Sequence, residues 1–199
     1  MRTVDATPRL ALIIGSTRPT RYADKPADWL LRHAMSRSDV RLDKLDLRDF
    51  DLPLFAETAS NLHMPSQDAR VLAWQDAVRQ YDGFVFVVAE YNHSITGALK
   101  NALDQAYVEW VRKPFSALGY GSVGGARAIE HLRGIAVELQ MVPSKFTTHI
   151  CGSDFFKVHP FGENAPINAI ESALKPSVDA MLDDLVWWAR ALNTFRETA

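Results

Sequence analysis

The stretch that decides the fold is FVFVVA, residues 84–89, a run of six apolar side chains rich in β-branched and aromatic types. Such a run predicts a strand that is buried on both faces, as in a parallel sheet covered by helices. Residues 10–14, LALII, have the same character and end at Gly15. We therefore expect a central parallel sheet built around these two strands.

Longer amphipathic stretches separate the strands. Val71, Trp74 and Val78, for example, recur at the spacing of one helical face, after an N-cap predicted at Ser66. Residues 40–47 alternate between apolar and charged side chains, which predicts a strand nearer the sheet edge. The full prediction is helices over about residues 25–37, 66–81, 94–110, 124–140 and 167–192, with further strands over 40–47, 114–120 and 141–150.

This alternation of strands and helices implies a doubly wound α/β domain, because a crossover between parallel strands is right-handed and needs a helix to return. We predict one domain over residues 1–199, a three-layer sandwich with a five-stranded parallel sheet in the order 2-1-3-4-5. Residues 1–8 are predicted to be a flexible N-terminus. Ligands in such sheets bind beyond the carboxyl ends of the strands, where strand order reverses. The loops after the first, third and fourth strands are therefore expected to form the site.

The composition excludes several classes of function. The chain has 199 residues, with 22 basic and 24 acidic side chains and a formal net charge of −2, so nucleic acid is not an expected partner. No apolar run approaches the ~20 residues of a membrane-spanning helix, and membrane insertion is not expected. The polar N-terminus is unlike a signal peptide, and the single cysteine, Cys151, fits a reducing compartment, which favours a cytoplasmic location. The six histidines lack metal-ligand spacing, so no metal site is predicted.

The loop after the first strand reads GSTRPTR, residues 15–21, and directly precedes a helix. Backbone N–H groups at a helix N-terminus, hydroxyl groups and guanidinium groups are what a phosphate dianion requires. The loop lacks the Gly-Lys-Ser/Thr ending of a P-loop and the Gly-x-Gly-x-x-Gly of a dinucleotide-binding turn. It predicts a phosphate site, and the alternative is an ordinary polar loop that caps the helix.

The loop after the third strand reads EYNHS, residues 90–94. Its aromatic ring and its amide could supply a flat wall and polar partners for a planar ligand. The alternatives are that Tyr91 packs at a strand end and that Asn92 or Ser94 caps the next helix. His93 is either a general acid or a surface residue.

The loop after the fourth strand reads GSVGGAR, residues 121–127, and its three glycines allow the backbone to approach a flat ligand. Glycine-rich turns between strands and helices are common, so this signal is weak by itself. It gains weight because it is the third such loop at the same edge of the sheet.

At these three loops the sequence resembles the NADPH-dependent FMN reductase family of the flavodoxin-like superfamily, which includes quinone, chromate and azo-dye reductases. The matching stretches are GSTRP at 15–19, EYN at 90–92 followed by LKNALD at 99–104, and GSVGG at 121–125. The resemblance covers about residues 9–150. The chain departs from the family pattern at Ala89, where proline is common, and over residues 22–25.

The resemblance implies a flavodoxin-like fold and an FMN site whose phosphate lies in the first loop. Ser16 and Arg18 would bind the phosphate, with Thr17 and Arg21 as helpers. The other flavin-binding residues that it implies are Glu90, Tyr91, Asn92, His93, Gly121, Ser122 and Gly124. No catalytic side chain is predicted because the chemistry is centred on the flavin. Backbone N–H groups at the helix that begins near Gly124 are candidates to stabilise the reduced flavin.

The implied activity is that of an NAD(P)H-dependent oxidoreductase. Hydride would pass from NADPH or NADH to FMN, and electrons would then pass to a quinone, flavin, azo or metal-oxyanion acceptor. The family also implies a homodimer or homotetramer with the helix from Ser94 in the interface, so that Trp110 is an interface or a core residue. Two alternatives are a flavodoxin-type electron carrier without its own NAD(P)H activity and a flavin-free ligand-binding module. The net charge of −2 argues against the carrier, because such carriers are often strongly acidic.

Three features have no assigned role in this prediction. Residues 51–65 and 153–166 are long irregular segments that could shape substrate access. Cys151 is interpreted as an apolar filler at a strand end, with a catalytic thiol as the alternative.

Overall fold

The computed structural model describes residues 7–196 and has the predicted α/β architecture. The strands are β1 (Arg9–Ile14), β2 (Arg41–Asp46), β3 (Gly83–Ala89), β4 (Pro114–Tyr120), β5 (Val142–Pro143) and β6 (Thr148–Ile150). The helices are α1 (Asp24–Met35), α2 (Ala69–Arg79), α3 (Gly97–Asp104), α4 (Ala126–Glu138), α5 (Gly152–Val158) and α6 (Glu171–Arg196), with 3-10 turns at Leu47–Asp49 and Ile167–Ile170.

The sheet is parallel, and its order is β2-β1-β3-β4-β5, which confirms the predicted topology. The fifth position of the sheet differs from the prediction of one strand over 141–150, because β5 and β6 both pair with β4 as separate short strands. Ser144 interrupts them, since its hydroxyl accepts the backbone N–H of Phe146 at 3.1 Å and closes a local turn.

The two faces of the sheet carry separate apolar cores, and this explains the continuous apolar runs in β1 and β3. Alternate residues of each strand point to opposite faces. Leu12 and Val85 pack with α1, α5 and α6, whereas Ile13 and Phe86 pack with α2, α3 and α4. Residues 10–14 of β1 and 84–89 of β3 are therefore apolar throughout, as a sheet between two helical layers requires.

Helix α3 is much shorter than the predicted helix over 94–110. It begins after Thr96, whose hydroxyl accepts the N–H of Leu99 at 3.1 Å, so neither Asn92 nor Ser94 is its cap. Beyond its end the chain turns inward, and Trp110 is fully buried with its indole N–H donated to the carbonyl of Leu103 at 3.1 Å. Trp110 is thus a core residue.

Two other boundaries differ from the prediction. The N-cap of α2 is Asp68, which accepts the N–H of Arg70 at 2.8 Å, while the predicted cap Ser66 accepts the N–H of Asp68 at 3.1 Å. The segment 153–166, predicted as irregular, contains most of α5.

Most of the predicted flexible segment 1–8 lies outside the described residues, and within it the carbonyl of Pro8 accepts the N–H of Arg41 at 2.9 Å. A search of the described residues finds no helix that is both long and apolar enough to cross a membrane.

Candidate functional site

A cavity of about 660 Å³ opens at the carboxyl edge of the sheet, where the order reverses between β1 and β3. The predicted loops after β1, β3 and β4 all contribute to its walls, together with the segment after β6. Its lining residues are Ser16, Arg18, Thr20, Arg21, Tyr22, Ala89, Glu90, Tyr91, Tyr120, Gly121, Ser122, Phe155, Phe156, His159, Pro160 and Phe161. This volume is typical of a small-molecule or cofactor site.

The loop after β1 is fixed to the neighbouring strand and helix. The N–H of Gly15 donates to the carbonyl of Val87 at 3.1 Å, and the hydroxyl of Thr96 donates to the carbonyl of Gly15. Ser16 is buried, and its hydroxyl is 3.2 Å from that of Tyr91. The predicted phosphate loop after β1 and the loop after β3 therefore meet at the Ser16–Tyr91 contact.

Arg21 is committed to ion pairs inside this loop. Its buried guanidinium donates to both carboxylate oxygens of Asp46, to Asp24, and to the carbonyl of Ser16 at 2.8 Å. Burial raises the pKa of Asp46, but the hydrogen bonds from Arg21 and from the N–H of Arg48 outweigh burial and hold that pKa below its usual value. Arg21 thus shapes the loop, and its charge is balanced by carboxylates.

The surroundings of Arg18 differ from those of Arg21. It is exposed and lines the cavity, and its guanidinium has no hydrogen bond or ion pair within the described part of the chain. Thr20 lies beside it in the cavity wall. Thr17 faces another way and lines a separate depression of about 260 Å³ with Leu47 and Gly97.

The loop after β3 forms a tight hairpin turn. Tyr91 and Ser94 exchange backbone hydrogen bonds of 2.8 and 3.1 Å, while Asn92 and His93 adopt left-handed φ angles of 49° and 74°. Both of these central residues are exposed and line a second cavity of about 440 Å³. The two cavities share Glu90 as well as Gly121 and Ser122 in their walls, so they adjoin at the ends of β3 and β4.

Glu90 is a largely buried carboxylate between the two cavities. One of its oxygens, Oε1, accepts a hydrogen bond from Arg127 Nε at 2.5 Å. The other, Oε2, is buried and has no partner among residues 7–196. A buried carboxylate oxygen without a donor is costly, which makes Glu90 Oε2 a candidate for a ligand contact.

Gly124 belongs to the loop after β4 but does not line either of the two cavities. Its N–H donates to the carbonyl of Gly121 at 3.0 Å, and its carbonyl is 2.9 Å from His149 Nδ1. It has a φ of +66°, and a Cβ at this position would lie 2.9 Å from the Cβ of His149. Gly124 therefore sets the shape of the loop, whereas Gly121 and Ser122 line the cavity.

Comparison with known proteins identifies the family. The sequence profile of NADPH-dependent FMN reductases matches residues 8–148. The chain belongs to the NADPH-dependent FMN reductase family. An NAD(P)H-dependent FMN reductase of Nectria sp is 30% identical over 190 residues, which cover 89% of this chain and 94% of that protein. A 2-hydroxy-1,4-benzoquinone reductase of Burkholderia sp is 33% identical over 141 residues, which cover 67% of this chain and 73% of the relative.

A solved structure agrees in fold. The flavoenzyme NAD(P)H:(acceptor) oxidoreductase of Paracoccus denitrificans superposes with a TM-score of 0.67 at 23% identity, covering 89% of this chain and 97% of that one. The resemblance drawn from the three loops is therefore confirmed. Its implications for the family are confirmed as well, namely an oxidoreductase with FMN as cofactor and NAD(P)H as co-substrate.

The residues of the cavity fit an FMN group. Arg18 offers an unpaired cation to a phosphate, and Glu90 offers a buried acceptor to the N–H that a flavin carries on its pyrimidine ring. The hydroxyl of Tyr22 is also buried without a described partner. Burial raises the pKa of Tyr22 and that of Tyr120, so both phenols stay protonated as donors.

Several cavity residues were not predicted from the sequence as site residues. They are Thr20, Tyr22, Ala89 and Tyr120, together with five residues after β6: Phe155, Phe156, His159, Pro160 and Phe161. Tyr22 follows the predicted phosphate loop directly, so its position was a usable signal. The residues after β6 lie in the segment 153–166, which was expected to shape substrate access from its length alone, with no residue named.

Proposed function

We propose that this protein is an FMN-containing oxidoreductase that oxidises NADPH or NADH and reduces a small organic or inorganic acceptor, a quinone first among them. The observation that carries the proposal is one cavity, at the strand-order reversal, that is lined by the Arg18 guanidinium and the buried Oε2 of Glu90, neither of which has a partner in the described part of the chain. The flavin supplies the capacity to accept two electrons and release them to a second substrate. The chain supplies binding, orientation and electrostatics.

Each predicted site residue has a distinct part in this proposal. Arg18, with Ser16 and Thr20, binds the phosphate, and Arg21 holds their loop in place. Glu90 and the hairpin at Tyr91, Asn92 and His93 bind the ring and the ribityl chain, opposite Gly121 and Ser122. Thr17 and Gly124 act through the shape of their loops.

The acceptor class follows from the open cavity and the relatives. The relatives are FMN reductases and a benzoquinone reductase by their names. A flavin that is reached through an open cavity can serve quinones, free flavin, azo compounds or metal oxyanions. We propose quinones as the principal class because aromatic side chains dominate the part of the wall contributed by the segment after β6.

Two further parts of the proposal concern assembly and location. We propose a homodimer or a homotetramer in the cytoplasm, supported by the family resemblance and by the single cysteine in the sequence. Sedimentation equilibrium tests the assembly, and a sharp monomer mass at micromolar concentration would contradict it.

The experiment is to load the protein with FMN, remove free flavin by gel filtration, and measure NADPH oxidation with and without 1,4-naphthoquinone. Stoichiometric retained FMN and quinone-dependent oxidation are expected. Retained FMN without NADPH or NADH oxidation would favour an electron carrier. Failure to retain FMN, with no oxidation when free FMN is added, would favour a flavin-free module.

A further inference from the structure

The segment after β6, residues 151–165, lies beyond the part of the chain that the family profile matches, yet it supplies one wall of the cavity. We propose that this segment is the acceptor subsite and that His159 positions the acceptor, donating the N–H at Nε2 to the carbonyl oxygen of a planar aromatic compound that lies against Phe156 and Phe161. This rests on the proposed function and adds to it the residues that select the acceptor.

The segment is ordered by its own hydrogen bonds and by α1. Backbone N–H groups of Glu163 and Ala165 donate to α5 at 3.0 and 2.9 Å. Lys25 Nζ donates to the carbonyls of Val158 and Ala165 at 2.7 and 3.1 Å, which ties the segment to α1. A wall fixed in this way is preorganised for a ligand.

Two phenylalanine rings of the segment are left in solvent at the cavity. Phe161 is 87% exposed and Phe156 is 51% exposed, although both line the cavity. Their neighbour Phe155 is buried and anchors α5 in the core. Exposed rings beside a cavity mark an apolar binding surface, and their flat faces suit a flat ligand.

His159 belongs to one aromatic group with Phe161, Phe155 and Tyr22. Its ring centroid is 5.4 Å from that of Phe161 in a stacked arrangement, 4.4 Å from that of Phe155 and 4.9 Å from that of Tyr22. These contacts fix the plane of the imidazole. The imidazole therefore loses little conformational entropy when its N–H donates to a ligand.

The hydrogen bonds of His159 determine which nitrogen carries the proton. Nδ1 accepts the backbone N–H of Phe161 at 3.0 Å, so the neutral ring carries its proton on Nε2. Nε2 has no partner among the described residues. Burial, Lys25 and Arg18 all lower the pKa of His159, so the ring is neutral at pH 7.

A carbonyl compound satisfies this arrangement better than an inorganic oxidant. A quinone offers a flat ring to the two phenylalanines together with a carbonyl oxygen to Nε2–H, whereas ferricyanide has cyanide nitrogens that accept hydrogen bonds but no flat ring that would place them against these side chains. The segment after β6 should therefore bind quinones more tightly than ferricyanide, independently of how easily each acceptor is reduced.

The test compares variants of the FMN-loaded protein. His159→Phe keeps an aromatic ring and removes the donor, His159→Gln returns an N–H close to the position of Nε2, and Phe161→Leu removes one exposed ring without touching the core. Phe146→Leu is the control, because Phe146 is a partly exposed phenylalanine that does not line the cavity. The first readout is the Kd of 1,4-naphthoquinone for the oxidised protein without NADPH, from the change in flavin absorbance.

His159→Phe is expected to raise this Kd about tenfold, the effect of one lost hydrogen bond. His159→Gln should recover most of the affinity, and Phe161→Leu should weaken binding about threefold. In turnover, the kcat/KM ratio of naphthoquinone to ferricyanide should fall about tenfold for His159→Phe, mainly through the KM of the quinone. Phe146→Leu should match the wild type in every readout.

Three results would overturn the inference. In the first, both His159→Phe and Phe161→Leu bind naphthoquinone as tightly as the wild type. In the second, they lose FMN, which would assign the wall to the cofactor. In the third, naphthoquinone and ferricyanide lose kcat/KM in parallel, as a purely structural defect would cause. Failure of the proposed function itself is distinguished by the wild type, which would then retain no FMN or oxidise no NADPH.

Discussion

The loop after β1 and the segment after β6 both line one cavity and are held by different forces. The loop, residues 15–21, is fixed by the ion pairs of the buried Arg21 with Asp24 and Asp46. The segment, residues 151–165, is fixed by backbone hydrogen bonds, by Lys25 and by stacked rings. The loop lies within the part of the chain that the family profile matches, and the whole segment lies beyond it.

The difference indicates a division of labour. A doubly charged phosphate calls for a rigid, charged cradle, and the loop provides Arg18, whose guanidinium has no partner among residues 7–196. An acceptor that must enter and leave calls for a flat apolar wall with few polar contacts, and the segment provides that.

The largest effect is expected from breaking the ion pairs of the loop. Arg21→Met leaves the carboxylate of Asp46 buried without its partner and should lower the free energy of unfolding by about 3 kcal/mol or more. Urea denaturation measures this. Arg18→Met is the matched control and should change stability by less than about 0.5 kcal/mol, because Arg18 is exposed and has no ion pair in the described chain. Equal losses in the two variants would contradict the distinction between them.

Arg18→Met should act on the cofactor instead. Loss of one charge-assisted hydrogen bond to phosphate should raise the Kd of FMN by about 10- to 100-fold. Fluorescence titration with FMN and with riboflavin provides the control, because riboflavin has no phosphate and its Kd should not change. If riboflavin binding falls as much as FMN binding, the phosphate does not lie at Arg18.

Gly124 packs against the start of the segment, because a Cβ there would lie 2.9 Å from the Cβ of His149 and 3.1 Å from the Cβ of Cys151. Gly124→Ala should lower the free energy of unfolding by about 1–3 kcal/mol, from the left-handed φ and the crowding. Gly134→Ala, within α4 and with open space around its Cβ, should be neutral or stabilising by up to about 1 kcal/mol. Thermal unfolding of both variants measures these changes in stability. A Gly124→Ala protein as stable as the wild type would contradict the expected crowding and strain at this position.

The smallest effect concerns pH. The pKa of His159 is lowered in the folded protein by burial and by Lys25 and Arg18, so its contribution to stability is full above the unfolded value of 6.5 and is lost as pH falls towards the folded pKa. The contribution of Asp46 is instead lost at a more acidic pH, as pH falls below the ordinary value of 3.8 towards its lowered pKa. NMR titration of the histidine ring signals should place the midpoint of His159 below 6.5. A midpoint at or above 6.5 would contradict the environment described for this ring.

The sequence predicted the central fold well because the strands carry strong signals. In residues 84–89 every side chain is apolar, and only a strand covered on both faces requires that. The predicted extent of α3 was wrong, because amphipathic spacing continues to Trp110, whereas the hairpin at residues 91–94 and the cap at Thr96 delay the start of the helix. Turns of this kind depend on backbone hydrogen bonds that the apolar pattern does not encode.

The candidate site was predictable to the extent that it follows strand ends. Ser16, Arg18, Glu90 and Tyr91 could be placed on one edge because the carboxyl ends of parallel strands converge there. The different uses of Arg18 and Arg21 could not be predicted, since the ion pair with Asp46 joins residues 25 positions apart. The aromatic wall after β6 has no motif, and only the folded chain brings it to the cavity.

The most direct test of the central claim is an anaerobic titration of the FMN-loaded protein with NADPH, followed by the visible absorbance of the protein-bound flavin. About one equivalent of NADPH is expected to bleach the flavin, and 1,4-naphthoquinone should then restore its absorbance. A bound flavin that stays oxidised in the presence of excess NADPH and of excess NADH would contradict a reductase that takes its electrons from NAD(P)H.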